Sequence, residues 1–281
     1  MRQKRALFLN LLFSVALIAA LAAAYLFLYT SNEGFWNKTP IFLQHKIGKE
    51  ADAYKTLEFD LVDPGQAPES IKVLAETGFH AMLQTHKYAP EHVGNKLNCT
   101  NCHFAAGNTT GGAQNGISLV GVATKYPAYD NSLKRVIDLP TRINSCFARS
   151  MNGKALPLDS EVMLALVTYM SWISQGLPMY ENISWLGLEP LSKKYPGDVA
   201  NGKKLYDVYC ALCHQEDGEG DLRVPPLWGN DSFNQKAGFN RLDMLATFIF
   251  WNMPYDDMTP VLSEQEAYDV GAYILSKPRP E

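Results

Sequence analysis

From Ala6 to Thr30 the chain carries no charged residue, and Arg2, Lys4 and Arg5 precede that run. An apolar stretch of this size matches the roughly 20 residues that cross a bilayer, whereas the apolar region of a cleaved signal is about 7–15 residues. Ala22 and Ala24 offer a cleavage site, yet Tyr25 to Tyr29 continues the run past them. The pattern predicts an uncleaved N-terminal transmembrane helix within residues 1–30. Its basic residues lie on the cytoplasmic side, with everything after residue 30 in the periplasm.

Residues 31–68 are polar and irregular, and Asp63-Pro-Gly-Gln-Ala-Pro68 reads as a turn or linker. Ile71, Leu74, Ala75, Phe79, Met82 and Leu83 recur at helical spacing and predict a helix from Ser70 to His86. Gly107 to Gly116 is a Gly/Asn/Thr-rich loop. Further helices are predicted over Thr141–Asn152 and Asp159–Ser174, then a connection from Leu177 to Pro196. A helix from Asp198 leads into Cys210, another covers Asn240–Trp251, and a last one opens on the capping box Ser263-Glu-Gln-Glu266 and runs to Leu275. Almost no stretch has the alternation of a strand. The fold class is therefore all-α, with two domains, 69–185 and 186–281, in tandem behind the anchor.

Composition adds little until the cysteines are placed. The chain has 281 residues and a net charge of −4, without the basic face that nucleic-acid binding requires. Four of its five cysteines fall in Cys99-Thr-Asn-Cys102-His103 and Cys210-Ala-Leu-Cys213-His214. C-x-x-C-H is the pattern of c-type haem attachment: two thioethers hold the porphyrin and the adjacent His reaches the iron. A zinc site would place two C-x-x-C pairs about 12–20 residues apart, and these are far more widely separated. Two covalently bound haem c groups are expected, each filling what is otherwise an inadequate core, with His103 and His214 as proximal ligands. Haem attachment of this kind occurs outside the bacterial cytoplasm, which agrees with the leading segment.

The opposite ligands follow less directly. For the second haem, Met253 stands in Asn252-Met253-Pro254 just before the last helix, with Met258 and Met244 as alternatives; Met/His ligation raises the reduction potential. The first half has no Met-Pro step. It has the fifth cysteine, Cys146, in a segment crowded by Arg142, Arg149 and Lys154. Nearby cations favour thiolate, and a thiolate ligand holds iron ferric and lowers the potential. The plainer readings are a buried cysteine acting as a small hydrophobe, and cations on a solvated face or pairing with haem carboxylates.

The run Arg142-Ile-Asn-Ser-Cys146-Phe-Ala-Arg-Ser150-Met-Asn-Gly-Lys154 closely resembles the cysteine-ligand segment of the thiosulfate dehydrogenase/tetrathionate reductase family, dihaem relatives of the Sox cytochromes. Gly94-Asn-Lys-Leu-Asn-Cys99, Lys125-Tyr-Pro-Ala-Tyr129, Asp159-Ser-Glu161, Asp231-Ser-Phe-Asn234 and Asn252-Met-Pro254 extend the likeness over roughly residues 65–280. It implies an oxidoreductase that interconverts thiosulfate and tetrathionate. In that reading Cys146 ligates the first haem and transiently carries the substrate's sulfane sulfur. Arg142 binds substrate oxygens, with Ser150 and Lys154 lining the same pocket. Electrons pass from the His/Cys haem to the His/Met haem, then to a periplasmic or membrane partner, a cytochrome or quinol system. Some members carry a Lys before the Met; Asn252 here implies plain His/Met ligation. One departure is Asp130, where an Arg-rich continuation belongs and this chain reads Asp130-Asn-Ser-Leu-Lys134-Arg135. Two other functions fit the motifs: a tethered dihaem electron carrier, and a Sox-like transferase that conjugates sulfur to a partner protein.

Overall fold

A computed structural model describes residues 60–221, 223–255 and 261–281. The expected anchor of residues 1–30 lies outside these. None of the described helices is long and apolar enough to cross a membrane.

In the first half, α1 (Lys72–Leu83) packs lengthwise on a later helix, Glu161–Trp172. Ala75, Ala81, Met82, Met163, Ala165, Leu166, Tyr169 and Ile173 are buried there. The long helix expected up to His86 breaks at Gln84, and a short α2 (Thr85–Tyr88) follows. The reason lies in Thr85. Its buried hydroxyl accepts from the Cys99 backbone N–H at 3.0 Å and lies 3.3 Å from Cys99 Sγ, so it is committed to the first haem motif.

A short ribbon adds to the helices. β1 (Ala128–Asp130) and β2 (Arg135–Ile137) form a two-stranded antiparallel ribbon, pairing Ala128 with Ile137 and Asp130 with Arg135. Its turn is made by Asp130, whose Oδ1 accepts from the N–H groups of Ser132 and Leu133 at 2.8 Å each. The connection is too short to show alternation in the sequence, but an Asx turn needs only that one carboxylate. After the ribbon, α3 (Leu139–Arg149) starts two residues before the expected Thr141. Asp138 caps the Thr141 N–H at 2.9 Å, and Pro140 fits the first turn. α4 (Glu161–Trp172) is capped by Ser160.

The second half is built from α5 (Val199–Tyr209), a single turn α6 (Ala211–His214), α7 (Leu242–Asn252) and α8 (Glu264–Leu275). The Ser263–Glu266 capping box forms as expected. Tyr206, Trp228, Leu245, Ile249, Leu262, Val270, Tyr273 and Ile274 make its core.

Residues 60–281 form one compact unit. Polar side chains join the two halves: Asn95 Nδ2 donates to the carbonyls of Ser150 (2.8 Å) and Ser232 (3.0 Å), and Asn234 Nδ2 donates to that of Ala148 (3.0 Å). The phenyl ring of Phe104 meets Phe248 and Tyr255 edge-on.

The α1–α4 contact is close enough to exclude a side chain at Gly78, where a methyl would run into the Ala165 carbonyl and Tyr169 Cβ. Overpacking of this kind costs about 1–3 kcal/mol. Gly78→Ala is expected to lower the melting temperature by several degrees while leaving spectra of the second haem unchanged, as read by thermal denaturation followed in the visible and far-UV.

Candidate active site

The two C-x-x-C-H segments share one local geometry. In each, the His backbone N–H bonds to the carbonyl of the first cysteine: His103 to Cys99 at 3.0 Å, His214 to Cys210 at 2.9 Å. His103 Nδ1 lies 2.9 Å from the Ile117 carbonyl, and His214 Nδ1 lies 3.0 Å from that of Pro225. A carbonyl only accepts, so Nδ1 carries the hydrogen and the Nε2 lone pair is left for a metal. Burial pushes the His103 pKa down to about 4, with the Arg142 charge adding to the effect, and burial lowers His214 likewise. Both imidazoles are oriented for ligation.

Three of the paired thiols are shifted away from thiolate. Burial pushes Cys99 up to about 11, Cys102 to about 12 and Cys210 to about 12. Thiols in this form suit addition to porphyrin vinyl groups. The residues present therefore fit c-type haem.

Cys146 is on α3, 43 or more residues from the first motif, yet its sulfur acts electrostatically on Cys99, Cys102 and Tyr126. The fold thus brings it to the haem side of the first half. Arg142 stands one helical turn earlier on the same face, and its Nη1 donates to Cys146 Sγ at 2.9 Å. The same sulfur holds the guanidinium's pKa above its ordinary value. Burial raises the Tyr126 pKa, while Arg142 opposes this by its charge and by a side-chain hydrogen bond.

Arg142 and Cys146 are thus brought together. Ser150 and Lys154 are held close by in the chain through their main chains: the Ser150 carbonyl accepts from Asn95, and the Lys154 N–H donates to the His92 carbonyl at 3.1 Å. No described hydrogen bond joins their side chains to Cys146. Asp130, the unexpected acid, is spent on its own turn, although its charge also feels Arg149 and Arg142. Tyr126 was not singled out by the sequence, though it stands in the Lys125-Tyr-Pro-Ala-Tyr129 stretch.

Met253 leaves the end of α7 in extended conformation. It packs on the same cluster as Cys210 and Ala211, close to the second motif. Met244 lies in the first turn of α7, about 14 Å of helix rise away; Met258 is outside the described residues. The amide of the preceding Asn252 is buried, accepting from the Gly116 N–H at 2.8 Å and donating to the Phe248 carbonyl at 3.1 Å.

Comparison with known proteins agrees with this layout. Residues 87–179 match the SoxA/TsdA cytochrome c domain, and residues 199–277 match cytochrome c. The thiosulfate dehydrogenase of Thiomonas intermedia is 40% identical over 214 residues, covering 74% of this chain and 67% of that protein. That of Allochromatium vinosum is 39% identical over 211 residues, 72% of this chain and 77% of the relative. Among solved structures, the thiosulfate dehydrogenase (TsdBA) of Marichromatium purpuratum superposes with a TM-score of 0.71 at 33% identity and covers 78% of this chain. This chain spans about half, 49%, of that longer one. With both cytochrome c segments matched and the Arg142–Cys146 pair formed, the chain belongs to the thiosulfate dehydrogenase family of SoxA/TsdA-type dihaem cytochromes c.

Proposed function

We propose that this chain is a two-haem oxidoreductase that interconverts thiosulfate and tetrathionate, and the observation that carries the reading is the Arg142–Cys146 hydrogen bond of 2.9 Å. His103 and Cys146 would hold the first haem, in domain 69–185, and His214 and Met253 the second, in domain 186–281. Bound there, the haems supply one-electron acceptors of different potential, the thiolate-ligated one lower and the Met-ligated one higher.

The chain's own residues do the rest. Arg142 stabilises the Cys146 thiolate, which in the oxidative direction forms an S–S bond to the sulfane sulfur of one thiosulfate and gives up two electrons. A second thiosulfate then attacks that sulfane sulfur, releasing tetrathionate and restoring the thiolate. Sulfonate oxygens suit a guanidinium, so Arg142 serves both sulfur and substrate. Ser150 and Lys154 are proposed only as further lining of this pocket.

Electrons would leave beside the second motif, where Val208, Tyr209 and Leu212 are exposed, Leu212 to 90%. An apolar collar of this sort suits a transient protein partner, a cytochrome or a component of the quinol system. Residues 1–30 would tether the chain to the inner membrane on its periplasmic side.

Cys146→Ala is expected to abolish turnover with thiosulfate plus a ferricyanide-type acceptor while both haems stay attached; full activity in that variant would refute the mechanism. Arg142→Gln removes charge-assisted hydrogen bonds of about 1.5–3 kcal/mol and is expected to lower kcat/KM roughly 10- to 100-fold, with Arg142→Lys intermediate. For Met253→Leu, spectroelectrochemistry should show a lower potential in the second haem alone, and an unchanged potential would exclude Met253 as its ligand.

A further inference from the structure

Arg279, the third residue from the end of the sequence, is half-buried with an unusual set of contacts. Among the described residues its Nε and Nη1 are out of solvent with no hydrogen-bond partner. Only Nη2 is engaged, donating to the Ile274 carbonyl at 2.9 Å, and the guanidinium lies 4.3 Å over the Phe233 ring. The segment around it is fixed. The Gly229 N–H bonds to the Pro278 carbonyl at 2.9 Å and the Gln235 N–H to the Pro280 carbonyl at 2.8 Å, so the tail is clamped on both sides of Arg279.

Among the described residues no acidic side chain is within ion-pair distance of this charge. Desolvation alone lowers the Arg279 pKa, to about 10. The nearby charged groups are otherwise occupied: Asp231 pairs with Lys96 at 2.7 Å, and Lys277 lies over the rings of Tyr273 and Trp228. A desolvated cation without a counter-ion is costly. The Phe233 face offsets part of that cost but leaves the Nε and Nη1 donors unfilled. An anion carried by a bound group would fill them.

Its position identifies the anion's chemistry. Ile274, which receives the one hydrogen bond, belongs to the core cluster against which Cys210 and Met253 pack. Phe233 packs edge-on to Phe239, which lies on the same cluster. The guanidinium is thus bonded to a member of the cluster that Cys210 and Met253 pack on, and a c-type haem carries two carboxylates. We propose that Arg279 binds a carboxylate of the second haem through its free N–H groups. The residue becomes a fixed positive charge beside that iron, favouring the reduced state and helping to keep this haem the higher-potential electron acceptor. The inference rests on the second haem being held by His214 and Met253. The His/Met absorption signature reads that ligation separately from the potential.

Spectroelectrochemistry of the full holoprotein tests it. In Arg279→Gln the second haem is expected to keep its His/Met signature while its midpoint potential shifts downward, and Arg279→Lys is expected to restore most of the shift. Unchanged potentials in an Arg279→Gln protein that retains both haems would overturn the proposal. A shift confined to the first haem would overturn it too, since the carboxylate would then come from that group; this arm matters because Asn234, beside Phe233, touches Ala148 of the first half. Should Arg279→Gln fail to load haem, the wild-type protein still decides. A carboxylate held ionised by Arg279 leaves the second haem's potential flat across the neutral pH range, and a marked slope there would contradict the pairing.

Discussion

A guanidinium one helical turn before a thiol, 2.9 Å from its sulfur, is the contact on which the proposed chemistry of the first half depends. Cysteine sulfur is a nucleophile or a metal ligand only as thiolate, and here the stabilising charge is built into the same helix as the thiol. The pairing needs α3 to start where it does. Asp138 and Pro140 set that start, and the ribbon turned by Asp130 delivers the chain to it. Burial has the opposite effect on Cys99 and Cys102, which it keeps as neutral thiols. In the proposed site two of these sulfurs are attachment points and the third, Cys146, is the reactive centre.

The second consequence of the architecture is that the two halves meet through the segments that carry the proposed iron ligands. The His103 ring is oriented by the Ile117 carbonyl, the neighbouring Gly116 N–H is held by the Asn252 side chain, and Asn252 precedes Met253. Phe104, next to His103, packs on Phe248 and Tyr255, which lie on either side of Met253 in the chain. An Asn at 252 thus has a structural task, bridging the halves, that its position before a methionine does not reveal. Electron transfer between two sites benefits from such rigidity, because distance and orientation between donor and acceptor stay fixed.

Much of this was legible in the residues. The paired C-x-x-C-H motifs, the Ser263 capping box and the apolar faces of α4 and α7 are local patterns, and local patterns survive in a sequence. The Cys146 segment was legible through its likeness to a family, and its closeness to Cys99 and Cys102 is a product of the fold. What stayed hidden depends on contacts between distant residues. The break at Gln84 follows from Thr85 bonding Cys99, fourteen positions away. Tyr126 joins Arg142 only once the ribbon has folded. The β-ribbon itself is three residues to a strand, too short for alternation to register. Arg279 follows the last helix without a pattern that marks it, and only the clamping of that segment shows its donors withdrawn from solvent.

The central claim is that the Cys146 sulfur is joined to substrate sulfur during turnover. The most direct test is mass spectrometry of the peptide containing Cys146 after the holoprotein is mixed with thiosulfate and an electron acceptor, then quenched in acid. The account predicts a Cys146 peptide heavier by one thiosulfate-derived group, with the mass shift absent when both haems are reduced beforehand and the acceptor is omitted. Steady turnover with Cys146 never modified under any quench would contradict it, and would leave the cysteine as a haem ligand alone.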